Sequence, residues 1–179
     1  MNIDQKKLEK SLETAISNSK IGSNFFYFLK NYMSNFQRCR FVENGLVFTN
    51  TEQYFMYHKA IFFKDNDTAI KILATTNPFD AKAYGREVKN YIDYEWDKVR
   101  YKVMYDANWL KYTQNKDLAD KLLATGNTVL VECNPTDKIW AIAMSIEEAR
   151  NSTPNQWRGQ NLLGLVLMEV RTNLSALKI

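Results

Sequence analysis

The sequence predicts an α+β fold, a predominantly helical single domain with a few short strands. Three observations carry this prediction. Helix-start signals recur: Asn77-Pro78-Phe79-Asp80 sets an N-cap, a proline at the first helical position and an acid in the first turn, and Ser145 with Glu148 has capping-box spacing. Asn44-Gly45 joins two β-prone runs, Cys39–Glu43 and Leu46–Phe48, which is the strongest short-range sign of a hairpin. Thr128–Cys133 is an apolar run that reads as a further strand, ended by the turn Asn134-Pro135-Thr136-Asp137.

The elements follow in order. Residues Ile3–Ser19 are polar, with Leu8, Leu12, Ala15 and Ile16 at helical spacing, so residues 1–20 are expected to form an amphipathic helical extension ahead of a domain at 21–179. Two aromatic stretches, Phe25-Phe26-Tyr27-Phe28 and Ser34-Asn35-Phe36, lead into the hairpin. Thr49–Phe63 reads as a helix that is apolar around its whole circumference and therefore largely buried. Asp67-Thr68 opens a short helix through Ala74, and Asp93 caps a long one with Trp96, Val99, Val103, Ala107 and Leu110 on its apolar face. Asn115–Ala124 is a helix closed by Gly126, Asn151–Trp157 a loop, and Asn161–Leu174 a central apolar helix.

Composition excludes several chemistries. A chain of 179 residues suits one domain with a substantial core. One histidine and two separated cysteines cannot form a zinc site of the usual spacings, and no Walker, dinucleotide-binding or G-x-S-x-G loop is present. No metal or cofactor is therefore expected, and catalysis must rest on carboxylates, lysine or amides. A net charge of +4 with scattered basic residues favours an anionic ligand over a dedicated nucleic-acid face. Ten Tyr, ten Phe and four Trp favour either a well-filled core or a site that grips flat rings. The N-terminus lacks a signal sequence and no apolar run is long enough to span a bilayer, so a cytoplasmic location with reduced thiols is expected.

Candidate functional residues begin in the Thr49–Phe63 helix. Glu52 and Lys59 are seven residues apart and point the same way, about 10 Å apart along the axis. Thr49-x-x-Glu52 fits a capping box; the other reading of Glu52 is a carboxylate near a sugar carbon or ribose hydroxyl. Lys59 either snorkels to solvent or pairs with an anionic substrate or attacks a carbonyl carbon. His58 reads as a satisfied side chain more than as a catalyst. Asp137 is either a turn aspartate bonded to its own backbone or a carboxylate at the mouth of a site, with Trp140 as a stacking wall. Trp96-Asp97 opens a helix, where an acid also serves the dipole. Gln160-Asn161 precedes the last helix, as a simple cap or as two amides that bind an anion or ribose with backbone N–H groups.

Taken together, these segments resemble the NADAR family, also called the YbiA-like family. The resemblance runs in order over about residues 25 to 174. It includes Phe25-Phe26, Ser34-Asn35-Phe36, Thr51-Glu52-Gln53-Tyr54-Phe55-Met56 with His58-Lys59-Ala60, and Asn77-Pro78-Phe79-Asp80-Ala81-Lys82 with Gly85-Arg86. It continues with Trp96-Asp97, Thr125-Gly126, Asp137-Lys138-Ile139-Trp140 and Gly159-Gln160-Asn161-Leu162-Leu163-Gly164.

It implies an N-glycosidase of YbiA-like fold, with residues 21–179 as the NADAR domain. The bond hydrolysed would join a base to phospho- or ADP-ribose. Candidate substrates are phosphoribosylated aminopyrimidine intermediates of riboflavin synthesis and ADP-ribosylated guanine, free or in nucleic acid. The resemblance implies Glu52, Lys59 and Asp137 as catalytic, and Asn35, Phe36, Trp96, Trp140, Gln160 and Asn161 as substrate-binding. One departure stands out: Trp140-Ala141-Ile142-Ala143 replaces the family's common Trp-Gly-x-Gly, which bears on substrate choice. The competing expectation is a catalytically inactive nucleotide-binding or interaction protein.

Overall fold

The Asn44-Gly45 hairpin forms as expected. Strands β1 (Phe25–Phe28), β2 (Phe41–Glu43) and β3 (Leu46–Phe48) open the fold, and β2 pairs antiparallel with β3 in the register Phe41↔Phe48. Asn44 and Gly45 sit at φ 49° and 81°, the left-handed pair that a two-residue turn matched to strand twist requires. A computed structural model of the chain describes residues 24–177. The expected helical extension at 1–20 lies outside these.

Contacts sort the chain into two compact units, residues 32–120 and residues 24–31 with 121–177. In the first, the hairpin carries Phe41 and Phe48 into a core with Tyr54 and Ala107. The Gln114 side chain pairs with both backbone groups of Val42 at 2.8 Å each and so covers the outer edge of β2. Helices α1 (Thr51–Phe62), α2 (Asn66–Ala74) and α3 (Pro78–Arg86) follow. Asp65, not Asp67, caps α2, whereas Asn77 and Pro78 start α3 as their spacing predicts.

Two expectations fail here for local reasons. The long helix from Asp93 is two: α4 (Asp93–Asp97) and α5 (Arg100–Thr113). Val99 N–H bonds the Trp96 carbonyl in an i→i−3 turn, and φ −122° at Val99 breaks the ladder before α5 begins. Nor is α1 buried all round: its first five residues are, but Ile61 and Phe62 near its end are 41% and 42% exposed.

Helix α6 (Lys116–Leu123) leads to β4 (Val129–Glu132). In the second unit β4 pairs in parallel with β1, Phe25 opposite Val129 through Phe28 opposite Glu132. Sequence reading placed no strand at Phe25–Phe28. Helix α7 (Ile146–Arg150) carries the expected Ser145–Glu148 capping box, and a short 3₁₀ turn at Pro154–Gln156 lies within the expected loop. Helix α8 (Leu162–Ala176) is buried along most of its length, as its apolar pattern predicts. A Cβ on Gly164 would lie 2.1 Å from the Leu130 carbonyl, so glycine is what lets α8 rest on β4. Among the described residues no helix is long and apolar enough to cross a membrane.

Candidate active site

Glu52 is held at the second position of α1, 5% exposed. The cap beneath it is shifted by one residue from the expected Thr49–Glu52 box. Asn50 accepts the Gln53 N–H at 2.8 Å, and Gln53 Oε1 takes the Thr49 N–H that Glu52 was expected to bind. Gln53 wins because its Nε2 simultaneously donates to the Thr75 carbonyl at 2.7 Å, tying α1 to the end of α2. The carboxylate of Glu52 is thus not required to cap the helix, while the positive end of the helix dipole favours its charge.

Asn35 clamps the same helix start. Its carbonyl receives the Glu52 N–H at 3.1 Å, one of the donors a helix leaves without an intrahelical partner. Its Oδ1 receives the Thr51 hydroxyl at 3.0 Å. The side chain is therefore fixed through its oxygen, and among the described residues its Nδ2 donor has no hydrogen-bond partner. Phe36 follows and packs edge-on against Phe79 of α3, with ring centroids 4.9 Å apart.

Lys59 lies two turns along α1 from Glu52. Its Nζ donates to the Gly85 carbonyl at 2.8 Å, at the negative end of α3, and stands 4.0 Å over the Tyr91 ring. Burial pushes its pKa below the usual lysine value, and the charge of Asp93 works against that shift. Between Glu52 and Lys59, Met56 lies over Gly85, where a Cβ would meet its Sδ at 2.1 Å. Glycine at 85 thus lets the last turn of α3 bring the Gly85 carbonyl up to Lys59. The sequence marks Gly85 only within the family pattern and does not mark Tyr91, since neither contact is local.

His58 turns away from this face. It pairs with Glu43 of β2 at 2.9 Å, and the Tyr54 hydroxyl donates to the same carboxylate at 2.6 Å. It is the satisfied histidine that sequence reading favoured. Trp96 is 4% exposed, with its ring against Phe55, Phe62 and Phe63.

In the other unit, Asp137 Oδ1 accepts the N–H groups of Ile139 and Trp140 at 2.9 and 2.8 Å, the turn role anticipated for it. Its Oδ2 has no partner among the described residues. The loop it shapes seals the start of α8: the carbonyls of Ile139 and Trp140 take the Leu162 and Leu163 N–H groups, both at 3.1 Å. Those two donors are therefore committed within the fold. Gln160 is exposed at this junction.

Asn161 is fully buried and makes no side-chain cap. Its Oδ1 takes the Glu132 N–H at 3.0 Å and its Nδ2 donates to the Leu130 carbonyl at 2.9 Å, so it latches the outer edge of β4. Ala141 and Ala143, which stand where the family commonly has glycine, are both buried, and Ala143 sits at φ 54°, in the region that favours glycine.

The first unit thus carries Asn35, Phe36, Glu52, Lys59 and Trp96, and the second carries Asp137, Trp140, Gln160 and Asn161. Among the described residues no cluster of three or more His, Cys, Asp or Glu side chains is arranged to hold a metal ion.

The first unit brings buried Glu52, Asn35 at the same helix start and a carbonyl-held Lys59 together around α1. The chain belongs to the NADAR domain family, whose model matches residues 23–175. An N-glycosidase of Acanthamoeba polyphaga mimivirus is 40% identical over 137 residues, 76% of this chain and 81% of that one. A riboflavin biosynthesis protein of Vibrio vulnificus is 29% identical over 143 residues, 80% of this chain and 35% of that one. The solved structure of Escherichia coli YbiA, itself named an N-glycosidase, superposes with a TM-score of 0.72 at 26% identity, covering 89% of each chain. The chain is accordingly an enzyme of the N-glycosyl hydrolase class with the YbiA-like α+β fold.

Proposed function

We propose that the protein hydrolyses the C–N bond between a base and the ribose of a phosphoribosyl or ADP-ribosyl compound, with Glu52 as the principal acid–base group. The observation that supports this reading is Glu52, buried at the start of α1 in a cap that Gln53 completes, with Asn35 clamped to the same helix start through the Glu52 N–H and the Thr51 hydroxyl. Breaking such a bond sends its electron pair to the base, which takes up a proton. Positive charge builds at the anomeric carbon until water adds there and gives up a proton. A carboxylate stabilises that charge and accepts the proton from water. Asn35 Nδ2 is the donor for a ribose hydroxyl.

Lys59 acts as an ammonium on an anionic or hydroxyl group of the substrate, because a carbonyl and an aromatic face hold it in the charged form. The competing route is condensation of neutral Nζ with the ring-opened sugar aldehyde, losing water to form a Schiff base. Borohydride added during turnover separates the two. The ammonium role predicts no sugar attached to Lys59, whereas a reduced sugar–lysine adduct establishes the Schiff base.

Trp96 backs the wall behind Phe55 rather than stacking on substrate, and Asn161 serves through β4. Trp140 and Gln160 remain candidates for substrate contact. Asp137 is a catalytic candidate through the family resemblance alone, with Oδ2 unpartnered among the described residues. Asp137→Asn keeps the turn-forming oxygen, and is expected to lower kcat about tenfold or more with unfolding in urea unchanged.

Net charge of +4 favours an anionic, phosphorylated substrate. The test is incubation with phosphoribosyl-aminopyrimidine, ADP-ribosylated guanosine and NAD⁺, following free base by chromatography. Release from any of these supports the reading. Binding without release from all three replaces it with a nucleotide-binding protein.

A further inference from the structure

Phe79 is 68% exposed, although it sits at the rigid start of a nine-residue helix. Its backbone is pinned, since its N–H bonds Asn77 Oδ1 at 3.0 Å and Pro78 precedes it. Its ring is braced too: Phe36 meets it edge-on at 89°. Phe36 in turn is anchored next to Glu52, through the bond from Glu52 N–H to the Asn35 carbonyl. One turn along α3, Lys82 places Nζ 5.4 Å from the centroid of the Phe36 ring. Among the described residues this ammonium has no hydrogen bond or carboxylate partner. An immobilised aromatic face open to solvent, with an uncommitted cation beside it, is the combination that stacks a heterocycle and neutralises its phosphate.

We propose that Phe79, braced by Phe36, is the platform on which the flat base of a phosphorylated ribonucleoside stacks, with Lys82 taking the phosphate. Its identification as a substrate subsite rests on the N-glycosidase reading, because the Glu52 N–H is bonded to Asn35, the residue before Phe36. Edge-on bracing leaves the outer face of Phe79 for the ligand, and Asn77 and Pro78 fix the backbone in advance, so little ordering is needed on binding. The platform recognises flatness rather than a hydrogen-bond pattern, so purine and pyrimidine nucleotides are both taken.

The test is isothermal titration of the full chain with AMP and UMP, and with ribose 5-phosphate as the probe that lacks a base. The wild type is expected to bind both nucleotides. Phe79→Ala should weaken them about tenfold and change ribose 5-phosphate less than twofold, in line with the strength of base stacking. Phe79→Trp should preserve nucleotide binding, and Lys82→Gln should weaken all three probes by the same factor. Exposure of Phe79 makes the variants safe for folding, which urea unfolding checks.

The proposal is overturned if the wild type binds neither nucleotide, if Phe79→Ala binds them as the wild type does, or if it weakens ribose 5-phosphate equally. Failure of the enzymatic reading looks different. Phe79-dependent nucleotide binding with no base released from any substrate removes the glycosidase and keeps the platform. Base release indifferent to Phe79→Ala does the reverse.

Discussion

Replacing Asn161 with alanine removes two of the hydrogen bonds on the outer edge of β4, at 3.0 Å from Glu132 N–H and 2.9 Å to the Leu130 carbonyl, and leaves the one from Ile142 N–H to the Glu132 carbonyl. The site is fully buried, so solvent does not replace either partner. Each stranded backbone group costs about 1–3 kcal/mol. The backbone at 161 also sits at φ 54°, which asparagine tolerates and alanine adopts at a cost of about 1 kcal/mol. The expected loss is about 3–7 kcal/mol, a large share of the stability of an ordinary domain. Urea unfolding followed by circular dichroism measures it. Asn161→Gly separates the two contributions: it loses the same bonds without the backbone strain, and should be about 1 kcal/mol less damaging than alanine. A loss under 1 kcal/mol for Asn161→Ala would refute the latch, and glycine as harmful as alanine would refute the backbone strain.

Gly164→Ala brings a methyl group to 2.1 Å from the Leu130 carbonyl and 2.5 Å from Asn161 Nδ2. Backbone must shift to admit it, and a loss of at least about 2 kcal/mol in the same unfolding assay is expected. Lys111 is fully buried, donating to the Ser34 carbonyl at 3.2 Å, and burial lowers its pKa to about 8. Its unfolded value is higher, so the penalty for burying its charge is complete below pH 8 and fades as pH rises from 8 towards 10.5. Relative to Lys111→Met, the wild type should therefore gain about 2 kcal/mol between pH 7.5 and 10. A constant difference across that range would show that Lys111 is not buried as a cation.

Signals confined to a few neighbouring residues were legible in the sequence. Asn44-Gly45, Asn77-Pro78 and Ser145 with Glu148 each carry their own turn or cap chemistry, and each forms where its spacing places it. Partnerships across the chain were not. Phe25–Phe28 offered only aromatics, and its identity as a strand depends on Val129–Glu132, a hundred residues away. Thr49-x-x-Glu52 matched a capping box, yet Asn50 and Gln53 took the cap because Gln53 also reaches Thr75, a contact invisible locally. The same holds at the candidate site. Glu52 and Lys59 stood out by their shared helix face, whereas Gly85 and Tyr91, which hold Lys59, reach it across 26 and 32 residues of chain. Asn161 read as a cap or a ligand because its position before α8 suggested both, and its work lies with β4.

Glu52→Gln tests the account most directly. The substitution preserves shape and leaves the Asn50–Gln53 cap intact, but removes the carboxylate proposed to stabilise charge at the anomeric carbon and to accept the proton from water. Free base released from phosphoribosyl-aminopyrimidine or ADP-ribosylated guanosine is measured by chromatography for wild type and variant under identical conditions. The account predicts release by the wild type and a fall in kcat of about 10²–10⁴-fold in the variant, with substrate binding retained. Equal rates in the two proteins would contradict it.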